Sequence, residues 1–137
     1  MNKISTGFLM LITTILMTGC KSVQKENYSF YVGTYTQKDS KGIYKYEISS
    51  EGELLKIGLV AETVNPTFLV KSKDNKTLFA VGETNENGTG FVKSFRIEKD
   101  SLQLISKEES GGAGPCFVAL NDENYIVSAN YGGGSVG

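Results

Sequence analysis

Chemistry in this sequence has to be done with few tools. The chain has 137 residues, no histidine and no tryptophan, and a single arginine, Arg96. A Ser-His-Asp triad and imidazole-ligated metal are therefore excluded within it. Carboxylates remain for proton transfer, and hydroxyl, amide and phenol groups for binding. Four such side chains stand at or just past the ends of alternating apolar segments: Thr34, Glu83, Asn130 and Tyr131. Glu83 could serve as a general base or an orienting acid. Thr34, Asn130 and Tyr131 could bind a polar substrate. Each also has a structural reading, because polar groups at strand ends commonly satisfy backbone donors and acceptors. No metal or cofactor is expected. Gly111-Gly112-Ala113-Gly114 and Gly132-Gly133-Gly134 look superficially like phosphate loops, but neither is followed by Lys-Ser or Lys-Thr or opens a helix, so they read as turns. Asn27-Tyr28-Ser29, Asn75-Lys76-Thr77 and Asn87-Gly88-Thr89 match the glycosylation sequon and are read as chance matches beside a bacterial-style leader.

That leader accounts for the first of the two cysteines. Lys3 precedes an uncharged run from Gly7 to Met17, and Thr18-Gly19-Cys20 closes it with small residues. The run is too short to span a bilayer and has the layout of a secretory signal. Leu16-Met17-Thr18-Gly19-Cys20 resembles the bacterial lipobox, in which the cysteine is diacylated and becomes the new N-terminus. An ordinary signal with an incidental cysteine is the alternative. Residues 1–19 are thus expected to be a lipoprotein signal peptide, Cys20 the lipidation site and residues 20–27 a polar tether. The product would be exported and lipid-anchored to the cell envelope. Losing Lys3 takes the net charge from −1 to −2. Cys116 then has no partner, and is expected to be a small buried hydrophobe.

The elements that position the four candidates come from a repeat. At a constant offset of 49, Val32-Gly33-Thr34 recurs as Val81-Gly82-Glu83, Tyr46 as Phe95, Ile48 as Ile97, Pro66 as Pro115 and Phe68 as Phe117. Each unit reads as four short strands. In the complete unit these are Thr67–Ser72, Thr77–Glu83, Phe91–Ile97 and Leu102–Lys107, with a polar loop over Thr84–Gly90. Sixteen glycines against two prolines suit an all-β fold with many tight turns. Four antiparallel strands at this period form a β-propeller blade. The chain enters at a second strand, Tyr28–Tyr35, continues with Ile43–Ile48 and Glu53–Val60, and ends in Cys116–Asn121 and Tyr125–Tyr131. The expectation is nine strands, grouped three, four and two, in an incomplete propeller over residues 28–137. Two and a fraction blades cannot enclose an axis, so the chain reads as part of a longer one.

Strand order also fixes which loops share a face. Asn65-Pro66-Thr67, Glu83–Gly90, Gly111–Cys116 and Asn130–Gly134 should gather at one end of the blades, with the turns at Asp74-Asn75 and Asp122-Glu123-Asn124 at the other. The first end holds the candidate site. Basic residues are nowhere concentrated, so no nucleic-acid partner is expected.

The segments themselves resemble a known family. YVGTYT (31–36), GIYKYEI (42–48), PTFLVKS (66–72), LFAVGE (78–83), GGAGPCFVAL (111–120) and ANYGGGSV (129–136) are similar to the seven-bladed lactonase family, which includes propeller-type 6-phosphogluconolactonases. The resemblance implies a seven-bladed propeller of which about two and a half blades are here, and hydrolysis of a sugar lactone. Family members often carry histidine after the Pro-Cys pair, where this chain has Phe117. The family's proposed catalytic His and Arg residues lie mainly in later blades, so no catalytic residue transfers. The expected substrate is a small lactone, and export favours a non-phosphorylated one. A non-catalytic surface propeller binding glycan or protein is the alternative.

Overall fold

A computed structural model describes residues 27–123 and 125–137. The expected signal peptide and all of the tether but Asn27 lie outside the described residues. Ten strands follow one another: β1 (Tyr28–Val32), β2 (Gly42–Ile48), β3 (Leu54–Glu62), β4 (Leu69–Lys71), β5 (Thr77–Glu86), β6 (Thr89–Ile97), β7 (Leu102–Glu109), β8 (Pro115–Leu120), β9 (Ile126–Asn130) and β10 (Ser135–Val136). They form three antiparallel sheets ordered β1-β2-β3, β4-β5-β6-β7 and β8-β9-β10. Every pairing joins strands that are neighbours in the chain. The architecture is all-β, a partial propeller of one four-stranded blade between two three-stranded sheets.

The grouping is three, four and three rather than three, four and two. Ser135 and Val136 pair with Asn130 and Ala129, so the third sheet has begun its third strand. A larger correction concerns Thr84–Gly90. This is a hairpin arm, not a loop: β5 runs on to Glu86, Glu86 pairs with Thr89, and only Asn87 and Gly88 turn. Their φ values of 56° and 88° are left-handed. Asn-Gly supplies that conformation in tight two-residue hairpins, whose twist matches the flanking strands. The fully paired strand of the inner hairpin is also shorter than expected. Pro66 has no N–H to donate, Asn65 takes φ 41°, and Thr67 N–H bonds to Asn65 C=O at 2.8 Å, so β4 starts at Leu69.

Side-chain alternation explains why the sheets stack. Ile43 and Val60 of the first sheet meet Leu78, Ala80, Phe95 and Leu102 of the second in one buried cluster, bordered by Tyr31, Ala61, Leu69 and Ile97. Burying such side chains contributes roughly 1.5–3 kcal/mol each. Between second and third sheets, Val81, Pro115 and Val118 are buried as β5 lies against β8. The repeat-related prolines Pro66 and Pro115 are both fully buried, each opening a blade.

Close backbone approach seals these junctions. A Cβ on Gly33 would fall 1.8 Å from Pro66 O, and one on Gly90 would fall 2.2 Å from Pro115 Cδ. At the opposite end, the Asx-type turns are as the sequence suggests. Asp74 Oδ1 accepts Lys76 N–H at 3.0 Å, and Asn121 Oδ1 accepts Glu123 N–H at 3.0 Å. Lys73 and Asp122, one repeat apart, form an ion pair between successive turns.

Candidate functional site

The end of the blades that carries the candidates is tied together by the connectors between sheets. Asn65 joins the first sheet to the second. Its Oδ1 accepts Thr36 N–H at 2.9 Å and Thr36 Oγ1–H at 3.1 Å, while its Nδ2 donates to Glu83 C=O at 3.1 Å. Glu83 N–H returns a bond to Asn65 C=O at 3.0 Å. One repeat later Gly114 does the same with its backbone: its N–H bonds to Thr84 C=O at 2.8 Å and its C=O accepts Tyr131 N–H at 2.9 Å. Asn65 and Gly114 both take positive φ, 41° and 60°. The loops expected on one face therefore do share it.

Glu83 and Tyr131 are thus equivalent positions in successive blades, each fixed by a backbone bond to its connector. Glu83 is half-buried, and its carboxylate is held by two hydroxyls from either side. Tyr35 Oη donates to Oε1 and Oε2 at 2.9 and 3.0 Å, and Thr67 Oγ1 donates to Oε2 at 2.5 Å. Tyr35 lies in the connection between β1 and β2 of the first sheet, so this contact crosses the blade boundary. Its phenol is held above the ordinary value of 10.0, first by the hydrogen bond to Glu83, then by desolvation, and then by the negative charges of Glu83 and Cys116. Tyr131 is 88% exposed, an aromatic ring presented to solvent on the same face.

Thr34 and Asn130 turn inward. Thr34 Oγ1 donates to Gly42 C=O at 2.7 Å, tying the end of the first sheet's strand to the start of β2. Asn130 is 1% exposed, and its Nδ2 donates to Ser110 C=O at 2.9 Å and Ser135 Oγ at 3.2 Å. Cys116 corrects an expectation. It is an exposed thiol, with Sγ 3.8 Å from Ala129 O, on a strand whose Pro115 and Val118 are buried against the second sheet. Its neighbour Phe117 meets Phe68 with ring centroids 4.8 Å apart and planes at 53°, so repeat-related aromatics touch along the inner strands.

Sequence reasoning named Glu83 but missed Tyr35 and Thr67. The phase of the repeat put Asn65-Pro66-Thr67 on the correct face, and Tyr35 follows directly on Thr34. Nothing in their types said that both would reach one carboxylate. Arg96 lies elsewhere, on β6, bonded to Gln103 at 3.3 Å. Among the described residues no group of three or more His, Cys, Asp or Glu could hold a metal ion.

Antiparallel sheets stacked face to face and joined in chain order are the plan of a β-propeller. The chain matches the lactonase family, described as a seven-bladed β-propeller, over residues 29–137, and it belongs to that family. It is 35% identical over 113 residues to the 6-phosphogluconolactonase of Bacillus subtilis, covering 80% of this chain and 32% of that protein. A provisionally named 6-phosphogluconolactonase of Bacteroides fragilis has the same arrangement with TM-score 0.74 at 37% identity, over 84% of this chain and 32% of that one. The periplasmic gluconolactonase of Pseudomonas aeruginosa aligns with TM-score 0.70 at 31% identity, over 77% and 31%. The chain therefore spans about a third of the length of the relatives it matches.

Proposed function

We propose that the protein hydrolyses a sugar lactone, with the blades described here forming one sector of the axial site. Family membership over residues 29–137 carries this reading. It is supported by relatives named 6-phosphogluconolactonase and gluconolactonase, and by a carboxylate held in place where the blade ends converge. In the reaction, water adds to the ring ester carbonyl as a base removes its proton. The tetrahedral intermediate then expels the ring oxygen, which takes up a proton to leave the open hydroxy acid. Cationic groups from outside these blades would stabilise the oxyanion. Glu83 either takes the proton or orients the attacking water.

The same reading includes export and anchoring through Cys20, supported by the leader's composition and its Leu-Met-Thr-Gly-Cys close. The test is turnover of glucono-1,5-lactone by the full-length protein, followed against spontaneous opening. Glu83→Gln is expected to lower the rate at least tenfold. Binding of the lactone without turnover would replace the hydrolase by a non-catalytic binder, and unchanged turnover in the variant would remove Glu83 from the mechanism.

A further inference from the structure

We propose that Lys93 is a nucleophilic amine and a site of covalent acylation, its Nζ taking the acyl group of a small cyclic ester. The site lies at the junction of the first two sheets, away from Glu83, and the proposal stands whether or not the protein hydrolyses such an ester.

Lys93 alternates along β6 with Phe91 and Phe95, on the face whose Ala80 and Phe95 pack against the first sheet. Its register partners are Ala80 on β5 and Lys107 on β7, so two ammonium groups stand directly opposite each other on adjacent strands. Like charges in that position destabilise a sheet. Lys107 finds relief: its Nζ lies 4.0 Å from Glu86 Oε2 and 3.3 Å from the centroid of the Phe91 ring. Lys93 does not. It is half-buried and, among the described residues, has no carboxylate within ion-pair distance. Its Nζ donates instead to a neutral hydroxyl, Thr63 Oγ1 at 2.5 Å, which the connection after β3 brings to it.

These surroundings favour the free amine over the ammonium. Burial pushes Lys93 below its ordinary value of 10.5, Lys107 pushes the same way, and Glu86 opposes them. Desolvation and a neighbouring cation are the usual means of making a lysine nucleophilic. The neutral amine keeps one N–H on Thr63 and has its lone pair free for a carbonyl carbon. In the step proposed, nitrogen adds to the ester carbonyl of a lactone, the bond from that carbon to the ring oxygen breaks, and the amine's proton passes to the departing oxygen. An amide and a hydroxyl remain, and no atom is lost. The Lys107 ammonium opposite steadies the negative charge on the tetrahedral intermediate.

The experiment treats the full-length protein with glucono-1,5-lactone at graded pH and follows each lysine by peptide mass spectrometry, where acylation adds the whole mass of the lactone. Lys93 is expected to react about threefold or more faster than the exposed Lys76 and Lys99, with the advantage widest at the lowest pH. Two substitutions of exposed side chains should move its rate in opposite directions. Lys107→Gln removes the opposing cation and should slow labelling about threefold, and Glu86→Gln removes the nearby carboxylate and should speed it by about twofold. A merely accessible lysine would respond to neither. Labelling spread evenly over the exposed lysines, or a Lys93 rate that neither substitution moves, would overturn the proposal. Lactone turnover is read in the same samples, so the two readings fail separately: Lys93 labelled in a protein that turns over no lactone would uphold the proposal and count against the hydrolase alone.

Discussion

Glu83 and Tyr35 show how a side chain's neighbours, more than its type, decide what it can do. Tyr35 keeps its proton to higher pH than an ordinary tyrosine because that proton bridges to Glu83. Its folded value is raised, so the stabilisation is fully present below about pH 10, the ordinary tyrosine value, and is lost as pH climbs through the raised one. Alkaline unfolding of the wild type against Tyr35→Phe should show the two curves converging above that range. Two repeat-related glycines make a sharper comparison. Gly33 has Pro66 O where a Cβ would sit, whereas the nearest neighbour of a Cβ on Gly82 is 3.6 Å away. Gly33→Ala is expected to cost about 3 kcal/mol or more, and Gly82→Ala under ~1 kcal/mol, as read by denaturant midpoint. The sequence equates these glycines, since it records the repeat and not the distance to the next blade. The same limit hid Tyr35: its position was on the correct face, but a contact across a blade boundary depends on side-chain direction.

At the level of strands, alternation and turn chemistry were enough to locate nine of ten elements. The tenth, β10, has two residues after three glycines, too few for any period to register. Thr84, Asn85 and Glu86 looked like loop because they are polar, yet they extend β5 in a hairpin arm whose end is exposed. The Asn87-Gly88 pair was the signal that outweighed composition. Gly88 at φ 88° has open space around a Cβ, so its requirement is conformational and not steric. Gly88→Val should therefore cost about 1–2 kcal/mol in thermal or chemical unfolding, from the left-handed backbone alone. Cys116 failed as a buried residue for a reason of the same kind. Residue type biases cysteine towards burial, whereas exposure depends on what packs against it: Pro115 and Val118 of β8 are buried and Cys116 is not.

On the scale of the molecule, neighbouring blades meet through repeat-related partners at both ends: Asn65 and Gly114 at the site end, Lys73 with Asp122 at the other. The Lys73–Asp122 pair is exposed and contributes at most about 1 kcal/mol, so the buried faces set the stacking. Cys20→Ala should move the protein from the membrane to the soluble fraction and abolish incorporation of a labelled fatty acid, with lactone turnover retained. Retained membrane association would reject that anchor. The strand pairings hold one more consequence. Among the described residues each strand pairs only with its neighbour along the chain, so every pairing seen here is a local hairpin. Blades can assemble in the order of synthesis, each finished sheet offering the next a surface to fold against. Misfolding by strand exchange between distant repeats then has to compete with hairpins that close first.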